Sequence, residues 1–340
     1  MSERHARGLR ESLRGLMWLA LSVATAAGAQ APASAPLRPL CQRTAGPAVH
    51  LTFVGDLMLV DGPGRVLRQG QDPFAAVAAL MDQADVRVGN LESLVATTGQ
   101  PVGNKLHTFR APPAVLPVLQ RHVDVVTVAN NHSGDFGRGA FAEMLSLLER
   151  AGLPYFGGGR DLRAAHEPYV VSCKGVKIAL LGYNEYFPRT FEAGPDWAGV
   201  AWSEDEQVVA DIRRARTVHG ADIVIPFMHW GQEHEQEADV RQRALARLMV
   251  DAGADMVIGS HPHVVQDTEV YRGKPIVYSL GNFIFDGYVE VANRTGWLLN
   301  VVLNQQGVQR WDIDVVRMDR DGVPHPTGRR LHQPLGAPQP

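Results

Sequence analysis

One pattern recurs along the chain and limits its fold more than any other feature. A short aliphatic run ends in a polar cluster, and a turn-bounded or amphipathic segment follows. Val49-His50-Leu51-Thr52-Phe53-Val54 runs into Gly55-Asp56, and Val86-Arg87-Val88 runs into Gly89-Asn90-Leu91-Glu92. Val123–Ala129 runs into Asn130-Asn131-His132, Ile223–Met228 into His229, and Met256–Ile258 into Gly259-Ser260-His261-Pro262-His263. Short apolar runs closed by turn residues read as buried strands. Strands alternating with helical segments build a layered α/β fold. Ligands of open α/β sheets bind just beyond the strand C-termini. If these strands share a sheet, their polar clusters converge on one rim.

The intervening segments have their own signals. Asp72-Pro73 offers an N-cap with proline at the first helical position, and predicts a helix over Phe74–Met81. Gly139–Ala151 reads as a helix closing on Gly152. Ser203–Val218 has helical spacing with Ser203 as candidate N-cap, and Ala238–Ala252 is helical. Tyr169–Cys173, a Lys174-Gly175 turn and Lys177–Tyr183 read as a hairpin. Strands are expected at Thr268–Tyr271, Ile276–Tyr278, Trp297–Leu303 and Trp311–Arg317.

The ends differ from the middle. Arg4, Arg7, Arg10 and Arg14 precede an apolar run from Leu16, which closes in small residues at Ala27-Gly28-Ala29-Gln30-Ala31. That is the layout of a secretory signal peptide over residues 1–30, with a periplasmic or extracellular destination. The run is too short to span a membrane comfortably. Residues 31–47 contain Pro32, Pro36, Pro39 and Pro47 and read as a linker. The folded domain is expected over 48–320, and the proline-rich residues 321–340 as a disordered tail.

Charge and cysteine content exclude two function classes. The chain has 33 Lys+Arg against 36 Asp+Glu, which argues against a nucleic-acid partner. Two cysteines cannot build a Cys₄ zinc site. In an exported protein Cys41 and Cys173 have the chance to pair, provided their backbones come close enough. The sequence sets no oligomeric state.

The strand-end clusters hold carboxylates, an amide and imidazoles, a donor set that suits one or two divalent ions of Mn, Zn or Fe(II). A carboxylate such as Asp56 or Glu92 is able to bridge two cations. Taken singly, each signal also has a bland reading. Asp56 fits a cap or turn, Asn130-Asn131-His132 a turn, and His229 a satisfied core histidine. His261-Pro262-His263, two imidazoles stiffened by proline, is the most specific. Asp135 is placed to orient His132 or to serve its own turn. Glu233 reads as a base or partner near His229, or as a solvated charge. Lys105 and Arg110 are candidates to receive an anionic substrate, or ordinary surface cations. Asn282 closes the site or makes a turn.

In combination and order these motifs resemble the bacterial capsule-synthesis CapA family, of poly-γ-glutamate biosynthesis type, within the calcineurin-like metallophosphoesterase superfamily. The stretches that carry the resemblance are Phe53-Val54-Gly55-Asp56-Leu57-Met58, Gly89-Asn90-Leu91-Glu92, Val128-Ala129-Asn130-Asn131-His132, His229-Trp230-Gly231-Gln232-Glu233, Ile258–Val265 and Tyr278–Phe283. They span about residues 49 to 305. The resemblance implies a four-layer α/β/β/α sandwich with metals on the rim between its sheets. It implies Asp56, Glu92, Asn131, His229, His261 and His263 as metal ligands, with Glu92 in the bridging position and His132 as the adjacent catalytic histidine. Two departures from the phosphoesterase pattern stand out. Met58 replaces the histidine of Asp-x-His, and Glu92 replaces an aspartate.

The resemblance also implies a metal-dependent hydrolase acting on an anionic cell-surface polymer or peptide-like substrate such as poly-γ-glutamate, with an amide ranked ahead of a phosphoester. Membrane-associated capsule-synthesis machinery is the implied partner. A non-catalytic polymer-binding accessory factor and an outright metallophosphoesterase are the alternatives.

Overall fold

The computed structural model describes residues 40–41, 44–103, 105–186 and 189–333. The expected leader and most of the expected linker lie outside them. The chain builds one sheet with β1 (Val49–Leu57), β2 (Val86–Leu91), β3 (Val125–Thr127) and β4 (Tyr155–Phe156). It crosses to a second for β5 (Tyr169–Cys173), β6 (Val176–Asn184), β7 (Ile223–His229), β8 (Val257–Ser260), β9 (Thr268–Tyr271) and β10 (Lys274–Val277). It returns to the first for β11 (Asn282–Ile284), β12 (Thr295–Asn304), β13 (Gly307–Met318) and β14 (Pro324–Gln333).

The first sheet has eight strands in the order β14-β13-β12-β1-β2-β3-β4, with β11 also paired to β1. The second has six, in the order β9-β10-β8-β7-β6-β5. β1, β2, β3 and β4 run parallel, as do β6, β7, β8 and β10. Parallel pairing sends the ends of β1, β2 and β3, and of β7 and β8, to the same side within each sheet.

Side-chain alternation sorts the core into three layers. Val49, Leu51 and Phe53 of β1 pack between the sheets with Ile178 and Leu180 of β6 and Ile223, Ile225 and Phe227 of β7. The opposite face of the first sheet, including Val54 and Val126, packs on helices α1 (Leu116–His122) and α2 (Gly137–Ala151). Leu181, Tyr183, Val224 and Met228 of the second sheet pack on α3 (Asp205–Thr217) and α4 (Val240–Ala252). The result is the expected α/β/β/α sandwich. No helix among the described residues is long and apolar enough to cross a membrane.

Several local expectations change. Only Ala78–Met81 of the predicted 74–81 helix is helical, because Asp72 Oδ1 accepts from the Phe74 amide and holds a turn there. α3 starts after Glu204 rather than Ser203, and α4 starts on Asp239 with a capping box to Gln242. Residues expected as a disordered tail form β14 over Pro324–Gln333. β14 is the edge of its sheet, where proline's missing N–H is tolerated. Thr327 Oγ1 donates to Val315 O and Arg330 Nε to Asp314 Oδ1, both at 2.8 Å.

The lead-in to β1 is tied down. Cys41 and Cys173 form a disulfide with Cα atoms 5.1 Å apart, closing 132 residues of sequence. Asp85 accepts from the Thr44 amide and hydroxyl, the His50 amide and Lys174 Nζ. Lys174 opens the hairpin turn at φ +50, followed by Gly175 at +80, the twist that joins β5 to β6 in two residues.

Candidate metal centre

Asp56 is aimed by a bulge. The pairing of β1 with β2 shifts register between Val54 and Asp56, as an extra residue in a strand requires. Gly55 permits it, since a Cβ there would lie 1.8 Å from Gly281 O. The Asp56 amide donates to that same carbonyl at 3.2 Å. β11 then pairs Asn282 with Asp56, and β8 pairs Ser260 with His229. The first pairing brings the end of β11 to Asp56. The second sets His261 one residue beyond His229's neighbour.

Asp56, Glu92, His132, His229, His261 and His263 are all buried, while Asn131 is half-buried. Glu92 Oε1 faces three imidazole nitrogens, the Nε2 atoms of His229 at 3.6 Å, His263 at 3.8 Å and His132 at 3.9 Å. His229 Nε2 is 2.9 Å from Asn131 Oδ1 and 3.1 Å from His261 Nδ1. His261 sits at φ +100 and His263 at +56. Such backbone conformations are costly for residues with a Cβ and collect at functional sites.

The charges at the centre are poised for a cation. Burial, followed by the neighbouring Asp56 charge, raises the Glu92 carboxyl well above its ordinary value. Burial, then the adjacent imidazoles, pushes His229 and His261 well below theirs. They are neutral imidazoles, the form that ligates metal. Burial also works against charge on His263, but the Asp56 carboxylate outweighs it and the net shift is upward. Burial lowers His132, opposed by Asp135.

Asp56 Oδ2, both Glu92 oxygens and His261 Nε2 are buried without a hydrogen-bond partner. Leaving such groups unpaired is expensive unless an ion engages them. Their neighbours form two triads, Asp56-Glu92-His229 and Glu92-His261-His263, each with ligand atoms within 4.8 Å of one another. Glu92 belongs to both, so the donor set fits one or two divalent ions with Glu92 between them. Met58 supplies no ligand in place of the missing histidine, since its Sδ faces the Val60 amide at 3.3 Å.

The remaining expectations divide. Asp135 Oδ2 lies 2.8 Å from His132 Nδ1 and also accepts from the Phe109 amide, so it orients the imidazole. Lys105 Nζ is 2.6 Å from Asp135 Oδ1, 2.9 Å from Asn131 O and 3.2 Å from His132 Nδ1. It is part of this support. Arg110 is placed elsewhere than expected. Its Nη1 donates to Thr98 O and Gly99 O at 2.9 Å, and its guanidinium lies over Phe136. Asn282 is a positioning residue rather than a lid. Its Oδ1 is 2.8 Å from His263 Nδ1, and its Nδ2 donates to Asn293 O.

The structure adds residues not singled out from the sequence. Asn90 Nδ2 donates to Asp56 Oδ1 at 2.8 Å, and Asn130 Nδ2 donates to Asn90 Oδ1 at 3.0 Å. Asn130 Oδ1 accepts from the His132 amide. These amides lock three strand ends together. Their signal was the position of each beside a candidate ligand. The rings of Tyr186 and Tyr288 flank His261 and His263, with centroids 4.2 and 5.5 Å away.

A layered α/β protein with a buried carboxylate–imidazole rim defines a class, and comparison narrows it. The family described as "Bacterial capsule synthesis protein PGA_cap" matches residues 50–287, and the chain belongs to that family. It is 33% identical over 268 residues to "PGA biosynthesis protein CapA" of Bacillus subtilis (strain 168), covering 77% of this chain and 70% of that one. It is 30% identical over 290 residues to "Capsule biosynthesis protein CapA" of Bacillus anthracis, covering 83% and 70%. A solved structure of a hypothetical protein from Thermus thermophilus aligns with TM-score 0.49 at 16% identity, over 78% of this chain and 98% of the other.

Proposed function

We propose that the protein is an exported, metal-dependent hydrolase that cleaves amide bonds in an anionic cell-surface polymer of the poly-γ-glutamate type. The observation that carries this reading is the Glu92 carboxylate, buried with both oxygens unpaired among three imidazoles. Asp56, Glu92, Asn131, His229, His261 and His263 hold the ion or ions. A divalent ion of Mn, Zn or Fe(II) supplies Lewis acidity that polarises a carbonyl and acidifies water.

The chain's own groups supply the proton handling. Asp135 Oδ2 accepts from His132 Nδ1–H, which leaves Nε2 facing the centre. In that tautomer Nε2 is the basic nitrogen, so it is the atom that takes a proton from the attacking water and passes it to the departing amine. Asn282 fixes His263 in the same manner, directing its Nε2 toward Glu92. Export is supported by the basic-apolar-small leader and by the Cys41–Cys173 disulfide.

Metal analysis of the purified protein with His261→Ala and His263→Ala variants tests the centre. Screening a γ-glutamyl amide against a generic phosphodiester tests the bond. Equal metal content in wild type and both variants contradicts the reading. Met58 favours a second reading, a polymer-holding accessory factor, because it leaves the Asp56 triad one imidazole short of the phosphoesterase pattern. Polymer retention without chain shortening at saturating Mn²⁺ or Zn²⁺ distinguishes that role.

A further inference from the structure

Both cations that the sequence offers to an anionic substrate are already engaged. Lys105 Nζ donates to Asn131 O and to Asp135 Oδ1, the carboxylate that also orients His132. Arg110 is held on backbone carbonyls and an aromatic ring. The unengaged charge beside the centre is negative. Glu233 is half-buried, and among the described residues its carboxylate makes no hydrogen bond or ion pair.

The backbone fixes where Glu233 stands. Gly231 turns the chain at φ +86, and His234 follows at +70. The His234 amide donates to Pro262 O at 2.8 Å, and its Nδ1 lies 2.8 Å from Asn293 Nδ2. This ties the residue that follows Glu233 to the His261-Pro262-His263 turn. The Glu233 charge is felt by His263 and by the phenols of Tyr186 and Tyr288. Both tyrosines are half-buried, with their rings on His261 and His263. The Tyr288 ring also meets that of His234, with centroids 5.8 Å apart.

We propose that Glu233, Tyr186 and Tyr288 form a subsite for a primary ammonium group at the mouth of the metal centre, so that the polymer is taken by its amino-terminal end. This rests on the polymer reading above. A carboxylate and two aromatic rings gathered around the same pair of imidazoles offer an ammonium both charge and ring faces. The interior of a γ-linked glutamate chain presents carboxylates, which Glu233 repels. Its amino terminus is the one place that carries positive charge. Hydrolysis of the first amide adds water across the C–N bond, leaving a carboxylate on the released unit and a new amine on the remaining chain. That amine is again an ammonium at neutral pH, so the same subsite accepts the shortened chain.

The test compares binding of two γ-glutamyl hexamers, one with a free amino terminus and one N-acetylated, to the metal-loaded protein by calorimetry. Wild type is expected to bind the free form about tenfold more tightly, and Glu233→Gln to reduce that preference to about twofold or less. Equal affinity of the two hexamers for wild type overturns the proposal, as does an unchanged preference in Glu233→Gln. Failure of wild type to bind either hexamer overturns the polymer reading itself.

Discussion

Glu92 Oε1 lies 3.6 Å from His229 Nε2, on the seam where the two sheets meet, and neither Glu92 oxygen has a hydrogen-bond partner. A carboxylate so placed is a burden to the metal-free protein and an asset to the loaded one. Glu92→Gln is therefore expected to raise the melting temperature of chelated protein, by about 1–3 kcal/mol of stability. The same variant is expected to lose the stabilisation that added Mn²⁺ or Zn²⁺ gives wild type, about 2.7 kcal/mol at a hundredfold excess over Kd. Thermal melts with chelator and with metal check both signs.

Asn282 meets His263 Nδ1 at 2.8 Å and is paired with Asp56 across β11 and β1. Asn282→Ala frees the imidazole to rotate. Metal affinity is expected to fall about 10- to 100-fold, as for other groups that orient a ligand. Competition with a metal-sensitive dye measures it.

Asp135 acts on His132 and not on the ligand set. Asp135→Asn is expected to lower turnover of a γ-glutamyl amide about 10²- to 10⁴-fold while leaving metal content unchanged. Arg110→Ala, which touches the 98–99 loop instead, is expected to change turnover less than about twofold. Steady-state kinetics with parallel metal analysis separates the two.

Asp85 ties the lead-in segment to the β5–β6 turn. Burial raises its carboxyl, but hydrogen bonds from Lys174, Thr44 and His50 outweigh this and the net shift is downward. A depressed carboxylate contributes stability above its unfolded value and loses it as pH falls through the folded one. Asp85→Asn is expected to cost about 1.5–3 kcal/mol at pH 7. The gap from wild type is expected to close as pH falls below the ordinary aspartate range. Urea denaturation at pH 7 and at pH 3 checks the convergence.

The rim was legible because strands end where aliphatic runs end. Asp56, Glu92, Asn131, His132, His229, His261 and His263 all meet there because β1–β3 and β7–β8 are parallel within their sheets. What the sequence hid was occupation. Lys105 and Glu233 read alike as loop charges, and only the fold shows Lys105 paired with the buried Asp135 and Glu233 without an ion-pair partner among the described residues. Asn90 and Asn130 stood in the sequence only as members of strand-end clusters, and their mutual hydrogen bond joins segments 40 residues apart. Pro324 and Pro326 argued for disorder, yet an edge strand has a side on which proline costs no ladder bond.

The proposed function is cleavage of a γ-glutamyl amide at this rim, with His132 passing the proton to the departing amine. The direct measurement is mass spectrometry of a γ-glutamyl oligomer incubated with metal-loaded wild type and with metal-loaded His132→Ala. Progressive shortening by wild type and intact oligomer with the variant are expected, at equal metal content. Oligomer that stays full length with wild type, or is shortened equally by both, contradicts the proposed function.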